Sequence, residues 1–218
     1  MDQSHGDLEW QDGTPIARRF DDPYYSLQDG LAETRFVFHD GNQLTERFAD
    51  GFHIAELGFG TGLSFLATWD AWRKSACKGT LHFTSFEAFP LSTEDTRAAL
   101  APFTELAPLT EHLLEFLAGK ALPSDIQLTI IEGDARETVP NWQGQADAWF
   151  LDGFSPAKNP ELWSADLMTA VGDHTKRGGT FATYTAAGHV RQKLSDAGFT
   201  VERISGFGRK RHMSVGKR

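Results

Sequence analysis

The sequence predicts an α/β protein: an open, mostly parallel sheet with helices between its strands, preceded by a β-rich N-terminal segment. Three observations carry that prediction. From Phe52 onward, short apolar runs alternate with segments whose apolar residues recur at helical spacing. Several of those runs end in a glycine or an acid, as strands do where they enter a ligand-binding loop. The 218 residues are 40% hydrophobic and 12% aromatic, enough for the core of one domain.

The elements follow in order. Asp12-Gly13 separates Leu8-Glu9-Trp10 from Thr14-Pro15-Ile16, and Asp40-Gly41 follows Arg35-Phe36-Val37-Phe38, so two hairpins are expected before residue 50. His53 to Leu57 is a short buried strand running into Gly58-Phe59-Gly60-Thr61-Gly62, and Leu63, Phe65, Leu66, Trp69 and Trp72 then mark a helix. Leu81 to Glu87 is the next strand. Ser92 and Asp95 resemble a capping box for a helix through Leu100. A helix over 105–117 has Pro108 near its start, and Ile126 to Ile131 is a β-branched strand leading to Gly133-Asp134. Ala146 to Leu151 is a strand ending at Asp152-Gly153, and a helix covers 161–171. Gly178-Gly179 introduces a strand over 180–185. A helix over 189–197 stops at Gly198, and strands over 200–204 and 212–215 complete the chain. Residues 1–50 are thus expected to form an extension packed on a catalytic unit at 51–218.

No basic segment followed by an apolar one opens the chain, and no apolar run approaches the roughly 18 residues of a membrane span. The expectation is a soluble, cytoplasmic protein without a membrane partner. The lone Cys77 excludes an internal disulfide and a multi-thiolate metal site, and the eight histidines lack ligand spacing, so no metal is expected. Net charge is −9, which alone argues against a nucleic-acid partner. Its distribution argues otherwise: residues 191–218 carry a balance of +6 and residues 1–190 a balance of −15. The basic end suits either a polyanion or plain solvation.

Glu56 through Gly62 is the most informative stretch of the first half. Alternate glycines let the backbone turn sharply and approach a ligand, and the following helix points free N–H groups at it. A dinucleotide fingerprint needs Gly or Ala five positions after its first glycine, where Leu63 or Phe65 stands. A P-loop needs a Gly-Lys-Ser/Thr that is absent. An acid leading a Gly-x-Gly-x-Gly loop instead resembles the first motif of class I S-adenosylmethionine methyltransferases, which have a Rossmann-like sheet with an antiparallel last strand. That resemblance implies a cofactor site of Glu56, Gly58, Phe59, Gly60, Thr61, Gly62, Glu87, Gly133, Asp134 and Asp152. Glu56 would serve the methionine ammonium, Glu87 the ribose hydroxyls and Asp134 the adenine amino group. Taken singly, Glu87 and Asp134 also suit a helix N-cap or a surface turn.

The run Asp147 to Trp163 contains Asp152-Gly153-Phe154-Ser155-Pro156, similar to the Asp/Asn-Pro-Pro-Tyr/Phe motif of amino-group methyltransferases. Together with Phe20 to Ser26, Glu33-Thr34-Arg35, Gly41 to Leu44, Glu56 to Leu63, Ser85-Phe86-Glu87, Phe89-Pro90-Leu91, Gly178 to Val190, Ala197-Gly198-Phe199 and Gly206 to Arg211, it resembles the bacterial MnmC/MnmD family. That family completes 5-methylaminomethyl-2-thiouridine at the tRNA wobble position. The similarity spans residues 7–218, and within it Ala88 departs from the pattern, standing where members often have lysine after the second-strand acid.

The resemblance implies N-methylation of 5-aminomethyl-2-thiouridine in tRNA, with S-adenosylmethionine as cofactor. Bifunctional members continue into a flavin-dependent oxidase, so the present residues are assigned only methylation, with a separate oxidase acting upstream. Asp152 is the candidate catalytic group, orienting the amine or taking its proton; an ordinary carboxylate is a poor base for an ammonium, which favours orientation. It equally suits capping of the following loop. Tyr25, Phe154 and Pro156 are candidates to wall the uridine, although both aromatics also fit a core. Lys158 touches phosphate or pairs with Glu161. Arg209, Lys210 and Arg211 grip the tRNA backbone, with modest and salt-sensitive affinity given the acidic remainder. Three alternatives stay open: a small-molecule amine methyltransferase, an aminopropyltransferase, and an RNA-binding scaffold with a vestigial pocket.

Overall fold

The computed structural model describes residues 8–11, 13–26 and 29–218. In chain order, β1 (Leu8–Gln11), β2 (Thr14–Ala17) and β3 (Asp22–Pro23) form a small antiparallel sheet. Helix α1 (Gly30–Thr34) continues as a π-helical turn over Arg35–Asp40, and α2 (Leu44–Arg47) follows. Then come β4 (His53–Leu57), α3 (Leu63–Lys74), β5 (Leu81–Glu87), α4 (Thr93–Leu100), α5 (Ala107–Leu117), β6 (Ile126–Glu132) and α6 (Ala135–Asn141). The chain ends with β7 (Ala146–Leu151), α7 (Ala165–Asp173), β8 (Thr175–Thr183), α8 (Gly188–Asp196), β9 (Thr200–Ser205) and β10 (His212–Lys217).

The central sheet has the order β6-β5-β4-β7-β8-β10-β9. Its first five strands pair in parallel, and β10 runs antiparallel between β8 and β9. After β4 the chain builds outward through β5 and β6, then returns to lay β7 on the other side of β4. That reversal opens a crevice at the carboxyl ends of β4 and β7, where ligands bind in open α/β sheets.

Strand periodicity explains why the sheet is covered on both faces. Along β7, Ala148 and Phe150 enter one core with Phe65, Trp69 and Phe83, while Trp149 and Leu151 enter the other with Leu167, Met168 and Val190. All four β7 side chains are fully buried, and burying each large one contributes roughly 1.5–3 kcal/mol. No helix among the described residues is long and apolar enough to cross a membrane.

The first expected hairpin forms, with Leu8 opposite Ala17 and Gln11 opposite Thr14; Asp12 of its turn lies outside the described residues. The second does not form, because Arg35–Asp40 is helical. Asp29 caps α1 by accepting from the Ala32 amide at 2.9 Å, and the continued helix turns Val37 and Phe38 inward, with Phe38 stacked on Phe150 at 4.8 Å. A short apolar run does not by itself distinguish strand from helix. Ser164 splits the helix expected over 161–171: Pro160–Trp163 is a 3₁₀ turn and Ser164 caps α7. Gly178-Gly179 lies inside β8, at a register shift against β7, rather than before it. The Ser92 hydroxyl accepts from the Asp95 amide as a cap should, but the Asp95 carboxylate accepts a hydrogen bond from the Ser92 hydroxyl at 2.6 Å instead of closing the box on backbone.

Candidate active site

A cavity of about 750 Å³ occupies the crevice at the carboxyl ends of β4 and β7, within the range of small-molecule and cofactor sites. The sheet delivers the loop Gly58 to Thr61, then Glu87, Asp134 and Asp152, to its wall from four successive strand ends. Residues from before β4 close the other side, among them Phe20, Tyr24 and Glu33.

The glycine loop is held by backbone approach and by carboxylate. Gly58, Gly60 and Gly62 all have positive φ. A Cβ on Gly58 would meet the Asp152 carbonyl oxygen at 2.6 Å, so only glycine fits there. Glu87 accepts from the Gly60 amide at 2.9 Å with one oxygen and from the Phe89 amide at 2.7 Å with the other. Burial raises the Glu87 pKa, while the backbone amides oppose that rise.

Glu56 sits behind the loop on β4, fully buried. One oxygen accepts from the Ser85 hydroxyl at 2.7 Å; the other has no hydrogen-bond partner. Burial, then the neighbouring Asp152 charge, lifts its carboxyl well above the ordinary range. An unsatisfied buried carboxyl oxygen calls for a proton or a cationic ligand group. Asp134 caps α6 through the Arg136 amide and pairs with the Arg136 guanidinium, whose hydrogen bond lowers its pKa. The capping role open to it from sequence is therefore realised, with the carboxylate still on the cavity wall.

Beyond β7 the chain is tied down on all sides. The Gly153 carbonyl accepts from the Tyr184 hydroxyl at 2.6 Å, and the Phe154 carbonyl accepts from the Trp163 indole N–H at 2.9 Å. The Ser155 amide donates to Asp22 at 2.8 Å. Lys158 pairs with Asp21 and Asp22 rather than with Glu161, which fastens the N-terminal segment to this loop. Phe154 stacks on Phe20 at 4.6 Å and meets Tyr24 edge-on at 5.3 Å, so one of its faces is already covered. Tyr25 lines the cavity, but its hydroxyl donates to the Ala99 carbonyl at 2.9 Å and its ring packs on Phe103.

Asp152 lies deep in the cavity. Burial pushes its carboxyl up to about 7; Glu33 adds to the rise, and Lys210 and a 3.4 Å hydrogen bond from Ser64 reduce it. Lys210, although exposed, lies at the cavity rim with its Nζ 2.8 Å from Glu33 and 4.5 Å above the Tyr184 ring. Arg209 and Arg211 beside it are exposed.

Eleven of the anticipated site residues line the cavity: Tyr25, Gly58, Phe59, Gly60, Thr61, Glu87, Asp134, Asp152, Phe154, Lys158 and Lys210. Glu56, Gly62, Gly133, Pro156, Arg209 and Arg211 do not, standing behind or beside it. Sequence reasoning missed Phe20, Tyr24, Glu33, Ser64 and Tyr184. Of these, Phe20, Tyr24, Glu33 and Tyr184 fall within runs that resemble the MnmC/MnmD family, which was the available signal; Ser64 follows the glycine loop and carried none.

The pattern of an S-adenosyl-L-methionine-dependent methyltransferase family matches residues 104–218. The chain is similar to the tRNA 5-methylaminomethyl-2-thiouridine biosynthesis bifunctional protein MnmC of Chromobacterium violaceum, with 44% identity covering 99% of this chain and 35% of that protein. MnmC of Pseudomonas aeruginosa strain UCBPP-PA14 shows the same 44% identity over 99% of the chain and 35% of its own length. The chain thus spans about a third of the length of the curated relatives it matches. Among solved structures, MnmC2 from Aquifex aeolicus superposes with a TM-score of 0.80 at 26% identity, covering 98% of this chain and 70% of that one. TrmN from Thermus thermophilus, at 16% identity and a TM-score of 0.54 over 94% of this chain and 53% of its own, shares the fold.

Proposed function

Because this chain belongs to the S-adenosyl-L-methionine-dependent methyltransferase family, we propose that it methylates the aminomethyl nitrogen of 5-aminomethyl-2-thiouridine at the tRNA wobble position. The product is 5-methylaminomethyl-2-thiouridine. The observation that carries this reading is Asp152: a half-buried carboxyl just after β7, in close backbone approach to the glycine loop and sharing the cavity wall with Glu33 and Tyr184. That is a place for an amine beside a cofactor.

The residues present fit the cofactor. Glu56 stands directly behind the loop with one unpaired buried oxygen, Gly58 and Gly60 keep the loop open, and Glu87 and Asp134 line the cavity at consecutive strand ends. S-adenosylmethionine supplies a methyl group already activated by its sulfonium. What remains for the protein is alignment, an effect worth up to roughly 7–11 kcal/mol in well-oriented systems. Asp152 orients the substrate nitrogen and receives the proton that the ammonium must lose before attack. A carboxyl near 7 is far better matched to that transfer at neutral pH than one near 4. Held there, S-adenosylmethionine would supply the methyl group and keep the sulfur–methyl bonding pair on sulfur, while Asp152 retains the proton released from nitrogen.

Residues 1–50 act in this reading as an extension that completes the pocket of the unit at 51–218, through Phe20, Tyr24 and Glu33. Arg209 and Arg211 face the tRNA backbone, the enzyme works in the cytoplasm, and a flavin-dependent oxidase activity provides the aminomethyl group. Single-turnover transfer of labelled methyl to tRNA from cells lacking the modification, followed by nucleoside analysis, tests the assignment. Label in 5-methylaminomethyl-2-thiouridine with wild type but not with Asp152→Ala supports it. Intact cofactor binding with no labelled nucleoside sinks it in favour of a small-molecule amine substrate.

A further inference from the structure

Lys210 lines the rim of the cavity, its side chain 48% exposed and its ammonium held there by a carboxylate and an aromatic ring. Its Nζ lies 2.8 Å from a Glu33 oxygen and 4.5 Å above the centroid of the Tyr184 ring. Glu33 is only 12% exposed, and Asp152 feels the charges of both Glu33 and Lys210. A carboxylate, an aromatic face and a second carboxyl are the groups that together recognise an alkylammonium. The end of a lysine side chain, CH₂–NH₃⁺, is chemically equivalent to a protonated aminomethyl substituent. The cation the site is built to hold is therefore already represented, by a residue of the chain itself.

The geometry points to Glu33 as a substrate-binding residue that holds the substrate ammonium against Tyr184 and Asp152, with Lys210 occupying that place until substrate displaces it. This rests on the reading of the substrate as a primary amine. Displacement has a route: Lys210 lies on the turn between β9 and β10, flanked by exposed Arg209 and Arg211, where a phosphate backbone offers its ammonium an alternative partner. Glu33 then passes from Lys210 to the substrate cation, and an uncharged side chain at the wobble base has nothing to compete with Lys210. Specificity for an amine over an isosteric hydroxyl follows from the exchange of one ammonium for another.

The probes are the free nucleosides 5-aminomethyluridine and 5-hydroxymethyluridine, titrated calorimetrically into the full chain saturated with S-adenosylhomocysteine. Lys210→Ala is expected to tighten the aminomethyl nucleoside about tenfold and the hydroxymethyl nucleoside hardly at all. Adding Glu33→Gln to that variant should abolish the gain, and Glu33→Asp should restore part of it. In steady state with tRNA, Glu33→Gln should raise KM at least tenfold more than it lowers kcat, a split that a purely structural role would not produce. Equal gains for both nucleosides, no gain, or no binding to any variant overturns the inference. Failure of tRNA methylation with the nucleoside preference intact would instead count against the tRNA assignment alone.

Discussion

Gly58 and Asp152 touch through their backbones: a Cβ added at 58 would lie 2.6 Å from the Asp152 carbonyl oxygen. The loop proposed to receive the cofactor and the carboxyl proposed to receive the amine's proton are therefore set by one contact. Gly58→Ala meets this clash and a φ of +88°, a strain of order 1–3 kcal/mol. Cofactor binding should weaken about tenfold or more, with a lowered Tm, read by calorimetry and thermal melting. Wild-type cofactor affinity in the variant would show that the two elements are not coupled.

The raised Asp152 pKa makes a prediction of definite sign for the cofactor-free protein. Between the unfolded carboxyl's value of about 4 and the folded value of about 7, the folded protein holds a proton that the unfolded chain has lost. Stability attributable to this group falls as pH rises through that window and stays low above it. Asp152→Asn should accordingly stabilise the protein at pH 8, by about 2–4 kcal/mol before relaxation, and change little at pH 4. Denaturant melts at the two pH values test this, and an equal effect at both would contradict it. The same variant should lose about 10²–10⁴-fold in kcat.

Glu87 both anchors the glycine loop and faces the cavity. Glu87→Ala removes charge-assisted bonds worth about 1.5–3 kcal/mol each. S-adenosylhomocysteine should bind about 10- to 100-fold more weakly, with Glu87→Gln intermediate because it keeps one carbonyl acceptor. Unchanged affinity in the alanine variant would remove Glu87 from the cofactor site.

Trp163 is buried, and its indole N–H donates to the Phe154 carbonyl within the loop that follows Asp152. Trp163→Phe keeps most of the packing but deletes that bond, at a cost of about 1 kcal/mol. The Tm should drop by roughly 2–4 °C for a chain of this size, with a several-fold loss of kcat. A stability loss with kcat untouched would show that the loop holds its position without the tryptophan.

Arg209 and Arg211 are exposed and form no ion pair among the described residues. If they meet phosphates, Arg209→Ala with Arg211→Ala should weaken tRNA binding and reduce the slope of log K against log salt by about 2. Cofactor affinity should stay the same. A salt slope equal to wild type would place the tRNA elsewhere on the surface.

The two kinds of information divide along physical lines. Strand ends and the glycine loop were legible because they depend on local chemistry. His53–Leu57, Leu81–Glu87 and Ala146–Leu151 were bounded to the residue by apolar runs that stop at Gly58, Glu87 and Asp152. The helix over Arg35–Asp40 was not, because the same six residues suit strand or helix until Phe38 finds Phe150 across the core. Sequence likewise determined that Asp152 stands at a strand end and that Lys210 is basic. Only the tertiary structure decided that desolvation would raise the Asp152 carboxyl, and that Lys210 at the cavity rim would find Glu33 and Tyr184 as partners. Periodicity and turn chemistry act between neighbours in the chain, whereas desolvation and ion pairing depend on distant segments brought together by folding.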